Sequence, residues 1–307
     1  FARGGVVSCY IDMPGNMGYE SFGIRTPDGK KISRIQRKEQ FEWGTLVRNL
    51  QDISIELSSQ RVLCHIEVED VPAFGYKTYH IVREEKWQYE PGSLAVETNV
   101  IENEYLRVRF NSDGTLDIAH KETKQTYSGL HYLEDTGETG HSWIHMEPHT
   151  NETITSHGFP CTIALEEEGP LLARVRVEYH LEIPAGIDDE LTAQFRGDAM
   201  DHTSRTKERK KLVVTSRFTL RAGQRRLDVT TSLDNPCKNH RLRVMFPTGL
   251  KAKESHSEAS YDVIARDITV KKGNAYYGRP NPQYPMYRWG DLADGKKVFA
   301  ILNTCIR

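Results

Sequence analysis

The stretch Leu171-Leu172-Ala173-Arg174-Val175-Arg176-Val177-Glu178-Tyr179-His180-Leu181-Glu182-Ile183-Pro184 decides the structural class of this chain. Val175, Val177, Tyr179, Leu181 and Ile183 fall at every second position, with Arg174, Arg176, Glu178, His180 and Glu182 between them. Successive side chains of a strand point to opposite faces, so this alternation describes a strand with one dry and one wet side. Outward from it the same period recurs at 105–110, at Leu116/Ile118, at Leu212/Val214/Phe218/Leu220, at Leu227/Val229/Leu233 and at Leu242/Val244/Phe246. Turn chemistry separates the runs. Asn111-Ser112-Asp113-Gly114 reads as a hairpin turn, and Pro27-Asp28-Gly29, Ser58-Ser59-Gln60 and Arg221-Ala222-Gly223 read as further turns. The nearest approach to a helical period, residues 41–50, is too short to change the class. The expectation is an all-β protein built of β-sandwiches.

The chain has 307 residues, 37% of them hydrophobic and 27% charged, enough apolar material for a sizeable core. Lys plus Arg is 41 and Asp plus Glu is 43, so nothing in the charge balance points to nucleic acid or a membrane surface. No stretch approaches the ~18 consecutive apolar residues of a membrane span, and no signal peptide is visible. Cys9, Cys64, Cys161, Cys237 and Cys305 are odd in number, widely spread and without a CxxC pair. That reads as reduced, mostly buried thiols in a cytoplasmic protein, with Cys64 and Cys161 in apolar or turn contexts that look inert.

Residues 1–86 hold a compact set of strand patterns, with runs at 6–11, 22–24, 53–57, 62–68 and 76–82, and read as a small β-sandwich domain. A polar, aromatic stretch with a Pro-Gly marks a linker at 87–93, and residues 94–307 form a second, larger β-unit. Within it, 186–205 lacks alternation and reads as a long loop. The chain starts at Phe1 without Met and stops soon after the apolar run Val298-Phe299-Ala300-Ile301-Leu302, which reads as a fragment cut at both ends.

One constellation carries chemistry. Glu134-Asp135-Thr136-Gly137-Glu138-Thr139-Gly140-His141-Ser142-Trp143 combines carboxylates, an imidazole and an aromatic ring in a Gly-rich segment. Sugar sites pair an aromatic platform for the apolar ring face with carboxylates for the hydroxyls. Trp143, Asp135, Glu138 and His141 are therefore candidate substrate-binding residues. His141 and His145 are four apart, but on a strand that spacing spans about 13 Å at ~3.3 Å per residue, too far for one ion. No metal site is expected in the chain. The basic run at 205–211 reads as a solvated strand entry.

Several segments resemble the β-rich C-terminal region of bacterial glycoside hydrolase family 38 α-mannosidases. They are Val71-Pro72-Ala73-Phe74-Gly75-Tyr76-Lys77-Thr78-Tyr79, Ile101-Glu102-Asn103-Glu104-Tyr105-Leu106-Arg107-Val108, Asp113-Gly114-Thr115-Leu116, Gly129-Leu130-His131-Tyr132-Leu133-Glu134-Asp135 and Glu168-Gly169-Pro170-Leu171. Most specific is Leu233-Asp234-Asn235-Pro236-Cys237-Lys238-Asn239-His240-Arg241-Leu242-Arg243-Val244-Met245-Phe246-Pro247-Thr248.

The resemblance implies a small β-domain followed by a large, galactose mutarotase-like β-supersandwich, here truncated at its C-terminal end. It implies a zinc ion, an Asp nucleophile and an acid carboxylate in an N-terminal barrel upstream of Phe1, with no catalytic residue and no cofactor in this chain. Partners implied are that barrel and a helical bundle of the same polypeptide, α-mannosides, and a second copy in a homo-oligomer. A loop of the large β-domain reaches the sugar in that family, which makes Trp143 the candidate here. Asp234, Asn235, His240 and Arg241 are implied to be scaffold. The alternative, from another class, is a stand-alone carbohydrate-binding module of the mutarotase-like sandwich type.

Overall fold

A computed structural model describes residues 2–14, 21–32, 34–48, 53–87, 90–140, 145–188, 203–269, 284–295 and 297–303. The first strands are β1 (Arg3–Pro14), β2 (Ser21–Arg25), β3 (Ile35–Val47), β4 (Ile55–Val71) and β5 (His80–Glu84). They make a three-stranded sheet ordered β1-β4-β3 and a ribbon β2-β5. Ile11, Met13, Val62, Cys64 and Ile66 from the sheet close on Phe22 and Ile24 from the ribbon. Trp87 packs edge-on to Phe22, with ring centroids 5.0 Å apart.

Three local expectations change here. Residues 41–47 lie inside β3, where Phe41, Trp43, Thr45 and Val47 follow a period of two, not a helical one. Ser58-Ser59-Gln60 is not a turn but the interior of β4, opposite Gly44, Trp43 and Glu42. Gln60 and Ser59 pair with Met13 and Pro14 on the other side, so ladders to both neighbours override the local turn preference. The runs at 53–57 and 62–68 thus become one strand. The run at 76–82 shortens, because β5 begins only at His80.

The larger unit adds β6 (Ala95–Glu97), β7 (Val100–Glu102), β8 (Leu106–Phe110), β9 (Leu116–His120), β10 (Gln125–Leu130), β11 (Tyr132–Gly137), β12 (Ile154–Thr155), β13 (Cys161–Glu167), β14 (Leu172–Pro184), β15 (Arg209–Arg221), β16 (Leu227–Leu233), β17 (His240–Met245), β18 (Glu254–Glu258), β19 (Val263–Asp267), β20 (Trp289–Ala293) and β21 (Val298–Leu302). All named strand pairs are antiparallel, in sheets ordered β10-β9-β8-β7-β6, β12-β11-β17, β13-β14-β15-β16 and β19-β18-β20-β21. Among the described residues the one helical element is a 3-10 turn, Ser156–Gly158. No helix among them is long and apolar enough to cross a membrane.

The inward set of β14 is buried as its alternation requires: Val175, Val177, Tyr179, Leu181 and Ile183 are each at most 1% exposed. With Leu212, Val214, Phe218 and Leu220 of β15 they join Ile101, Leu106, Val108, Phe110 and Leu116 in one core. Each such side chain contributes about 1.5–3 kcal/mol by leaving water. The Tyr179 hydroxyl donates to the Gly114 carbonyl at 2.8 Å. Gly114 itself has φ +84°, and a Cβ there would sit 2.5 Å from the Tyr179 ring. The expected hairpin turn therefore needs glycine twice over, for its backbone and for its neighbour.

A polar junction ties the β1-β4-β3 sheet to the larger unit. His65, on the face of β4 opposite Val62, Cys64 and Ile66, places Nε2 2.5 Å from Glu167 Oε1. The other Glu167 oxygen faces Arg174 at 3.5 Å and Lys38 at 3.7 Å. Gln36 Oε1 accepts from the Leu171 and Leu172 amides, both at 2.9 Å, while Nε2 donates to the Leu172 carbonyl at 3.0 Å. Val6 packs beside Leu171 and Ala222.

Candidate functional site

The candidate site sits at the end of β11, the central strand of the sheet β12-β11-β17. Antiparallel pairing sets Glu134 opposite Arg243, Asp135 opposite Leu242, Thr136 opposite Arg241 and Gly137 opposite His240. Because faces alternate, this register sorts the polar residues into two layers. Asp135 and His240 lie on one side; Glu134, Thr136, Arg241 and Arg243 lie on the other.

The first layer is a closed network. Asp135 is 1% exposed, and its Oδ1 takes a charge-assisted hydrogen bond from Arg205 Nη2. Its Oδ2 lies 2.5 Å from His240 Nδ1. His240 Nε2 reaches Asn235 Oδ1 at 3.0 Å, an oxygen that also accepts from the Cys237 amide at 3.0 Å. Arg205 also donates from Nη1 to the Glu152 carbonyl at 3.0 Å. Gly137 permits the assembly: a Cβ there would lie 2.7 Å from Pro148 and 3.1 Å from Arg205.

The second layer is more open. Glu138 Oε1 accepts from the Gly140 amide at 2.7 Å and the Met146 amide at 2.9 Å, and Oε2 pairs with His145 Nδ1. Burial works against the charge on Glu138, but the Met146 amide, His145 and the Gly140 amide outweigh it and hold the carboxyl below its usual range. Glu134 is paired with Arg243. Arg241 makes no ion pair with a carboxylate among the described residues. Burial and the neighbouring Arg243 lower its affinity for the proton, against the pull of Glu138, Glu134 and Glu147.

Of the residues expected from sequence, Asp135, Asn235 and His240 come together, while Arg241 lies on the opposite face and Glu138 at the strand end. Asp234 is exposed and stands apart from the network. Trp143 and His141 lie outside the described residues. Asp135 holds Arg205 and His240 in place, and its own oxygens are enclosed. Two residues were not anticipated as site residues. His145 is the partner of Glu138, and Arg205 arrives from 70 positions away. Its only signal in the sequence was a place at the head of a basic run. Among the described residues no group of three or more His, Cys, Asp or Glu is placed to hold a metal ion.

The glycosyl hydrolases family 38 C-terminal domain matches residues 101–306. A curated protein of Halalkalibacterium halodurans named "Putative mannosylglycerate hydrolase" is 26% identical over 203 residues, which is 64% of this chain and 22% of that protein. Two solved structures from Enterococcus faecalis share the fold at 22% identity over 96% of this chain. One is an alpha-mannosidase of strain V583, with a TM-score of 0.78 over 35% of its own chain. The other is a protein in the glycosyl hydrolase family 38, with a TM-score of 0.77 over 36% of its chain. The present chain thus spans about a third of those structures and under a quarter of the curated relative.

Proposed function

The chain belongs to glycosyl hydrolase family 38, whose C-terminal domain it contains; on that premise we propose that it is the non-catalytic β-region of a cytoplasmic retaining α-mannosidase. Hydrolysis would be carried out by an N-terminal zinc barrel of the same polypeptide. The boundaries proposed for its parts are a small domain to residue 86, a linker at 87–93 and the large domain beyond.

One observation carries this reading: the two candidate carboxylates, Asp135 and Glu138, are committed. Asp135 is held by Arg205 and His240, and Glu138 by two amides and His145. A general acid must carry a proton it can give up, and a nucleophile needs a free oxygen facing carbon. Neither group is so placed. What the end of β11 offers instead is a rigid polar platform, with Arg241 on its outer side. Trp143 and His141 are proposed as sugar contacts on the family resemblance alone. The cytoplasmic assignment rests on Cys9, Cys64, Cys161 and Cys237, which are all free thiols.

The test compares this chain with the longer protein on an aryl α-mannoside, with zinc present. The longer protein should turn over and this chain should not; equal activity would overturn the reading. Calorimetry of this chain with mannose should show no binding. Binding that Trp143→Ala abolishes would favour a stand-alone carbohydrate-binding module instead.

A finer reading of the substrate follows from Arg241. A cation without an ion-pair partner among the described residues suits a mannoside whose aglycone carries a carboxylate, as in mannosylglycerate. In the longer protein, Arg241→Met should raise KM for mannosylglycerate more than for the uncharged aryl mannoside. An equal rise for both would remove the carboxylate from the proposal.

A further inference from the structure

We propose that Cys9 and Cys64 are a reversible redox pair, which a peroxide oxidises to a disulfide joining β1 to β4. The two residues are direct partners in the antiparallel register of these strands. Opposed residues have Cα atoms about 4.5 or 5.5 Å apart, and both spacings lie within the range that disulfides span. Their side chains share a face, since both pack in the cluster that holds Ile11, Met13, Val62 and Ile66. Cys64 Sγ donates to the Cys9 carbonyl oxygen at 3.7 Å, which places it beside the Cys9 side chain. A bond between them would need little backbone movement.

The pair is asymmetric in the way a redox couple requires. Cys64 is 0% exposed, whereas Cys9 is only partly buried and can meet a solvent-borne oxidant. The hydrogen bond from Cys64 brings the Cys9 thiol down to about 7, against the effect of burial. The same contact, and then burial, pushes Cys64 up. By contrast, burial raises both Cys161 and Cys237. The thiolate is the nucleophile, so Cys9 is the thiol that reacts first.

The chemistry closes with hydrogen peroxide as the oxidant. The Cys9 thiolate attacks one peroxide oxygen, the O–O bond breaks, and the departing hydroxide takes a proton to leave as water. The Cys64 sulfur then attacks the sulfenic sulfur of Cys9. The S–S bond forms as the second hydroxyl leaves, taking the Cys64 proton as water. Two thiols are thereby oxidised and one peroxide is reduced to two waters. A small dithiol reverses the step by exchange. The link would close the loop between positions 9 and 64 and brace the sheet whose other face holds His65 against Glu167.

The test treats the chain with hydrogen peroxide at neutral pH, alkylates the remaining thiols under denaturing conditions and maps the peptides. The expected result is a Cys9–Cys64 linked peptide, about 2 Da lighter than its two thiol halves and split by dithiothreitol. Under the same treatment Cys64→Ser should leave a Cys9 sulfenic acid that dimedone traps, and Cys9→Ser should leave Cys64 unmodified. Oxidation of Cys161 or Cys237 while Cys9 and Cys64 stay alkylatable would overturn the proposal. If either variant fails to fold by circular dichroism, the map of the unsubstituted chain decides alone.

Discussion

Two carboxylates buried in this molecule are built alike and placed differently. Glu167 faces one histidine and one arginine, His65 and Arg174, and so does Asp135, with His240 and Arg205. Glu167 lies where the first sheet meets the larger unit, and Gln36 closes the remaining backbone groups around it. Asp135 lies at a strand end, beneath an open layer with Glu138, His145 and Arg241. Burial opposes the charge on Glu167, but His65, with Lys38 and Arg174, holds its carboxyl below the usual range. The chemistry of a buried ion pair therefore does not mark a site. What marks one is whether the network ends in packed sheet or in a polar surface.

The comparison can be broken most severely at Asp135. Asp135→Ala leaves the Arg205 guanidinium, its side chain 3% exposed, as a buried cation without its anion, and takes from His240 the acceptor at its Nδ1. The expected loss is about 3–5 kcal/mol, read by urea unfolding. Glu167→Ala should cost less, about 2–3 kcal/mol, because Lys38 and Arg174 are partly exposed and can turn to water. Its distinguishing result is the shape of the transition. With the junction weakened, the first sheet should unfold ahead of the larger unit, so tryptophan fluorescence and circular dichroism should no longer coincide.

Acid should reproduce part of that second effect. A carboxyl whose folded affinity for protons is lowered stabilises the fold above the ordinary 4.5. That contribution fades as pH falls from 4.5 through the lowered value. Stability followed between pH 6 and 3 should therefore drop less steeply below 4.5 in Glu167→Gln than in the parent. The smallest effect sharpens the comparison from the other side: Arg241→Met should change stability by no more than about 0.5 kcal/mol. A large loss in that variant would mean that Arg241 is structural after all.

Much of the fold was legible one strand at a time. The alternation of β14 named its buried set correctly, and Asn111-Ser112-Asp113-Gly114 announced a turn whose glycine proves obligatory. Ser58-Ser59-Gln60 misled because a turn preference is local, whereas β4 is paired on both sides. At the site, Asp135, Asn235 and His240 could be singled out from the chain. That Asp135 and His240 touch could not, because 105 positions separate them until β11 pairs with β17.

Sequence alone determined the period of the strands, the turns that need glycine and the resemblance to a family. Those signals depend on neighbours a few residues apart, where sterics and side-chain alternation act directly. Only the tertiary structure decided that Asp135 is enclosed, that Arg205 completes its network and that Cys9 stands opposite Cys64. Hydrogen bonds and thiol chemistry act over about 3–4 Å, and strand register alone brings residues so distant in the chain within that reach.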